Sequence, residues 1–142
     1  MIYDSIDMVL DLDGDLALTE TGDIMTTEFD VLIGIIQAIQ TRIRHPALSW
    51  RLYPDLGVLT VPIGQPNSEE TAEAWEDLIY TALVQDGLVD SSDLELTSAP
   101  LNEHTIITLI RLSVHPTDAN GGRSGLNVYA IMDYNTKVAR FY

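Results

Sequence analysis

Cysteine is absent from this 142-residue chain, which excludes a disulfide framework, a thiolate nucleophile and any sulfur-ligated zinc or iron site. Basic residues are nearly as scarce: seven Lys and Arg stand against 22 Asp and Glu, a formal net charge of -15. A surface of that sign repels phosphate backbones and anionic headgroups, so neither nucleic acid nor membrane is expected as a partner, and a neutral or basic protein is. Apolar runs are short. None approaches the roughly 20 residues of a membrane span, and the start, Met1-Ile2-Tyr3-Asp4, lacks the basic flank of a signal peptide. What the chain has is 46% hydrophobic content, enough for a single domain of ordinary size to bury a core without metals or crosslinks.

The charge is uneven. Nine carboxylates, from Asp4 to Asp30, precede the first basic residue, Arg42. Apolar residues (Ile6, Met8, Val9, Leu10, Leu16, Leu18, Ile24) are interleaved with them, which predicts an acidic strand-and-turn segment over residues 1–26 rather than a disordered tail. Thr21-Gly22 reads as a hairpin turn joining Leu16-Ala17-Leu18 to Ile24-Met25. No internal repeat is expected.

Phe29, Leu32, Ile36, Ile39 and Ile43 recur at spacings of three and four, predicting an amphipathic helix over 28–44 with Thr27 as its N-cap and Pro46 as its stop. Ile33 and Ile35 widen the stripe; Ile35 and Val31 lie off its main line, so the helix reads as apolar on more than one side. A second helix is predicted over 68–86, capped by Asn67 and ended by Gly87. Trp75, Leu78, Ile79, Ala82 and Leu83 form its apolar face, and Glu73, Glu76 and Asp77 its solvated one. Beyond Gly87 the period changes to two, predicting strands at 94–98, 105–114, 127–132 and 136–141. A long turn-rich loop, His115 to Gly125, and a tight connection at Asp133-Tyr134-Asn135 separate the last three. The expected class is α+β, with two main helices packed on a mostly antiparallel sheet.

Signatures of chemistry are missing. Asp11-Leu12-Asp13-Gly14-Asp15 alternates aspartates as a calcium loop does, but its glycine comes early and Gly22 holds the place of the bidentate glutamate, so an acidic turn is expected. His45, His104 and His115 are scattered and form no helical metal pair. No glycine-rich stretch leads into a phosphate-binding helix start. No cofactor, metal site or catalytic residue is assigned. Glycoside hydrolysis needs only two well-placed carboxylates, which keeps a peptidoglycan-cleaving muramidase as the competing reading, although no glutamate here has an aspartate nine positions downstream, the spacing of phage lysozymes.

The junction His45-Pro46-Ala47-Leu48-Ser49-Trp50-Arg51-Leu52-Tyr53-Pro54-Asp55-Leu56-Gly57 follows the first helix directly. With Trp50 and Pro54-Asp55-Leu56-Gly57 after an apolar helix, it resembles the baseplate wedge family of contractile phage tails. That family is also called lysozyme-like and has relatives in type VI secretion baseplates. Gly14-Asp15-Leu16-Ala17-Leu18 resembles the family's start, and the elements follow in its order over roughly residues 12–115. Ser49 in place of an acidic residue, Leu56 in place of an aromatic and Arg51 one place nearer the proline depart from the pattern. The resemblance implies a structural rather than enzymatic role in the virion tail, assembled in the host cytoplasm and present in multiple copies in a symmetric assembly. The implied partners are other baseplate wedge proteins and the tail sheath. Two interface groups are expected: Trp50, Arg51, Tyr53, Pro54 and Gly57 at the junction, and Val138, Arg140 and Tyr142 on a C-terminal strand, 137–142, that offers or completes a sheet edge.

Overall fold

Four antiparallel strands, β1 (Leu94–Asn102), β2 (Thr105–Val114), β3 (Ser124–Asp133) and β4 (Val138–Phe141), form a meander in the order β1-β2-β3-β4. Two helices, α1 (Val31–Arg44) and α2 (Glu69–Val84), pack against one face of it. The expected α+β class with two helices on an antiparallel sheet is the observed one. The computed structural model describes residues 6–11, 14–29, 31–49, 51, 52, 54, 57, 58, 64–85, 87–114, 124–133, 135, 136 and 138–142.

Strand alternation sorts the sheet's side chains. Ile106, Thr108, Ile110 and Leu112 of β2, Val128, Ala130 and Met132 of β3, and Ala139 and Phe141 of β4 are buried on the helix side. The register aligns them across the strands, with Thr108 opposite Ala130 and Ala130 opposite Phe141. Thr108 is fully buried, and its hydroxyl is paired with that of Ser98, 2.8 Å away on β1. From the helices come Ile35, Ile39 and Ile43 of α1 and Ala72, Trp75, Ile79, Ala82 and Leu83 of α2.

Several local expectations are corrected. Ile35 lies not beside the core but in it: Ile35, Ile39 and Ile43, four residues apart, are the fully buried line of α1, with Leu32 and Ile36 partly buried next to it. The α-helix starts at Val31, after a 3-10 turn at Thr27–Phe29. Thr27 is not its cap, because the Thr27 hydroxyl accepts the N–H of Asp7 instead. For α2 the N-cap is Ser68, whose hydroxyl accepts the Thr71 N–H. Asn67, expected there, directs its amide to the Asn102 and Thr105 carbonyls at the β1–β2 turn. Glu76 is not merely solvated: its carboxylate accepts the Ser98 N–H at 2.6 Å. Gly87 does end α2 in the left-handed region, at φ +78°, with its N–H on Val84 O. β1 and β3 are longer than expected and β4 is shorter. Most of the 115–125 loop lies outside the described residues.

The acidic front contains a repeat that the sequence reading missed. Residues 7–11, 15–19 and 23–27 are three short extended segments in an eight-residue period, with Asp7, Asp15 and Asp23 leading each and Val9, Ala17 and Met25 at their centres. Each segment bonds the next, and the third bonds the first. Ala17 N–H donates to Val9 O, Met25 N–H to Ala17 O and Val9 N–H to Met25 O, all at 2.9 Å. At the ends, the N–H groups of Asp11, Thr19 and Thr27 donate to the carbonyls of Asp15, Asp23 and Asp7. The side chains follow the same rule: Asp11, Thr19 and Thr27 accept the N–H of Asp15, Asp23 and Asp7. The result is a closed, pseudo-threefold triangle in which inward backbone groups satisfy one another. Gly14 and Gly22, at φ +92° and +87°, make the two equivalent turns, so Thr21-Gly22 turns the chain where expected. The outward apolar residues are also equivalent, Met8, Leu16 and Ile24 being 48%, 47% and 49% exposed.

Candidate functional site

The junction after α1 is a closed loop. Gly57 is buried, and a Cβ on it would meet His45 O at 2.6 Å and Pro46 O at 2.7 Å. The far end of the loop therefore lies against the carbonyls with which it begins. Glycine is required twice over, since its φ is +97°. A segment whose ends touch in this way is of the Ω-loop type.

What it displays differs in part from the expectation. Arg51 and Pro54 are exposed, Gly57 closes the base, and Trp50 and Tyr53 lie outside the described residues. The two most exposed large apolar side chains among the described residues are ones not singled out, Leu48 at 77% and Leu52 at 83%. Leu48 is also the one described non-glycine residue with positive φ, +60°, at the third position of a turn closed by Ser49 N–H on Pro46 O. That position of a type II turn favours Gly or Asn. A bulky apolar residue held there in solvent combines strain with exposure. The sequence signal that could have found it is Leu48 itself, an apolar residue two places after a helix-stopping proline.

The base of this loop adjoins the C-terminal strand. The Arg44 guanidinium, in the last turn of α1, stands 5.0 Å from the centroid of the Phe141 ring on β4. Val138, Arg140 and Tyr142 alternate with the buried Ala139 and Phe141 and are exposed on the sheet face away from the helices. Tyr142 extends the pairing by exchanging both backbone bonds with Tyr129. β4 covers only the second half of β3; along Ser124–Val128, β3 has β2 on one side and no described strand on the other.

Comparison with known proteins adds no assignment. No family model, curated protein or solved structure matches the chain.

The opposite edge of the sheet is closed. Glu76 caps the outward N–H of Ser98, and Pro100 has no N–H to offer, so β1 cannot be extended across its centre. A cleft of about 360 Å³ at the start of α2 is bordered by Pro66, Glu70, Ala74 and Trp75. The buried Trp75 Nε1 has no hydrogen-bond partner. Among the described residues no three His, Asp or Glu side chains are grouped to hold a metal ion, and no helix is long and apolar enough to cross a membrane. Asp11, expected in an acidic turn, uses its carboxylate to bind the Asp15 N–H within the triangle.

Proposed function

We propose that the chain is a non-enzymatic structural component of a phage tail baseplate wedge, joining the wedge core bundle to neighbouring subunits and to the sheath. The observation that carries this is the closed junction loop, which holds Leu48 and Leu52 in solvent on a base locked by Gly57. Exposed leucines on a rigid base are suited to entering an apolar groove of a partner, with Arg51 at the rim. The half-open edge of β3 supports the second connection. An incoming strand along Ser124–Val128 would find unpaired backbone there, whereas β1 is blocked. The sheath is the proposed source of that strand, and the larger wedge proteins the proposed owners of the groove.

Co-expression with the wedge and sheath proteins of a contractile tail tests the proposal. The expected outcome is a co-purifying complex with the wedge bundle, lost with Leu48→Ser/Leu52→Ser although the variant remains folded. Retention of the complex by that variant would remove the loop from the interface, and clearing of purified cell walls by the chain would favour the muramidase instead.

A further inference from the structure

The acidic triangle carries one occupied binding edge, on its first segment, and equivalent edges on its second and third that no described residue occupies. Because the odd-numbered backbone groups of its segments point inward, those of Met8 and Leu10 point outward. On this first segment the outward groups are satisfied by one side chain: Gln37 of α1 accepts the Leu10 N–H and donates to Met8 O, both at 2.8 Å. A carboxamide bonded in this way reproduces the N–H and C=O that a neighbouring strand would present. The second segment repeats the inward hydrogen-bond pattern of the first, and its corresponding outward groups are Leu16 O and Leu18 N–H. No described residue bonds them, and Leu16 and Leu18 are exposed.

We infer that the edge Leu16–Leu18 is a docking site for an extended segment of a basic partner protein, whose peptide N–H and C=O take the places that Gln37 fills on the first segment. Two features define the occupant. The backbone pair specifies an amide, and the occupied edge is direct evidence that this geometry accepts one. Charge specifies the sign: Asp15, Glu20 and Asp23 flank the edge, and no Lys or Arg precedes Arg42, so lysine and arginine on the incoming segment are attracted while a second copy of this acidic chain is repelled. Leu16, Leu18 and Ile24 supply apolar contact beside the backbone bonds. Leu18 is paired with Ile24 across the triangle, which holds both in place. This site is separate from the junction loop and the β3 edge, and it stands independently of the baseplate proposal.

The probe is a short synthetic peptide of alternating lysine and valine, titrated into the full chain and followed by amide chemical shifts and hydrogen exchange. The expected result is a shift and slowed exchange of the Leu18 N–H, with the Leu10 N–H unchanged. A fully N-methylated version, with the same charge and no N–H to donate, is expected to bind at least about tenfold more weakly, as is the glutamate–valine analogue. Leu18→Pro removes the donor without breaking an existing bond and is expected to abolish the peptide-induced shifts at the Leu16 and Ile24 amides; should it fail to fold, the methylated peptide still decides. Equal binding of the methylated peptide, or shifts spread over the carboxylates without protection at Leu18, would reduce the effect to unspecific charge attraction and overturn the site. Protection of Leu18 that rises with protein concentration in the absence of peptide would assign the edge to a second copy and overturn it equally.

Discussion

Thr27 and Asp7, twenty residues apart, exchange two hydrogen bonds: the Asp7 N–H donates to the Thr27 hydroxyl and the Thr27 N–H to the Asp7 carbonyl, each at 2.9 Å. These bonds close the triangle. Thr27→Val keeps the shape of the buried side chain and removes one acceptor, leaving the Asp7 N–H unpaired. The expected cost is about 1 kcal/mol in denaturant unfolding, with faster exchange of the Asp7 amide and little change in the sheet. An unchanged Asp7 exchange rate would show that the closure contributes nothing.

Gln37 ties the triangle to α1 through Met8 and Leu10. Gln37→Met preserves length and apolar contact but deletes both bonds, so the expected loss is about 1–2 kcal/mol. Proteolysis should then cut first within residues 7–27. Equal resistance of variant and parent would show that other contacts hold the segment.

Two glycines in the same backbone region are expected to respond differently to alanine. Gly87, at φ +78°, has open space where the Cβ would go, so Gly87→Ala should cost about 1–2 kcal/mol, the price of the left-handed conformation. Gly57→Ala adds a Cβ 2.6 Å from a backbone oxygen, and its cost should exceed that of Gly87→Ala by at least about 1 kcal/mol. Thermal unfolding of the two variants side by side checks the order; equal midpoints would mean that the loop base is not closed.

Leu48→Gly relieves the left-handed strain, worth about 1–2 kcal/mol, and adds chain entropy of about 0.5–1 kcal/mol to the unfolded state. With the side chain 77% exposed, little burial is lost, so the variant should be equally stable or more stable by up to about 1.5 kcal/mol. It should also bind the wedge bundle more weakly. A destabilised Leu48→Gly would indicate that Leu48 serves packing within the chain.

The fold was largely legible because its signals are local and periodic. The three- and four-residue spacing of Ile36, Ile39 and Ile43 marked α1, the stop at Pro46 is where α1 gives way, and alternation in Thr105–Val114 marked β2. Less legible were features decided by a partner distant in sequence. Thr27 is a good cap by type, but the Asp7 N–H competes for its hydroxyl; Asn67 is another, but two carbonyls across the β1–β2 turn take its amide. The triangle escaped because its period of eight carries a single three-way identity, Asp7, Asp15 and Asp23, beside two-way ones such as Leu10 and Leu18, Thr19 and Thr27, and Gly14 and Gly22, far below the self-similarity of longer repeats. At the junction, Pro54 and Gly57 mark a turn in any reading, whereas the strain at Leu48 is a backbone property that no residue type announces.

The most direct measurement is electron microscopy of contractile particles from a source strain lacking this chain, with the wild-type chain and Leu48→Ser/Leu52→Ser supplied from a plasmid. The proposal predicts that tails with complete baseplates and attached sheath form only with the wild-type chain, and that density of its size lies between the wedge bundle and the first sheath layer. Normal tails in the absence of the chain would contradict it.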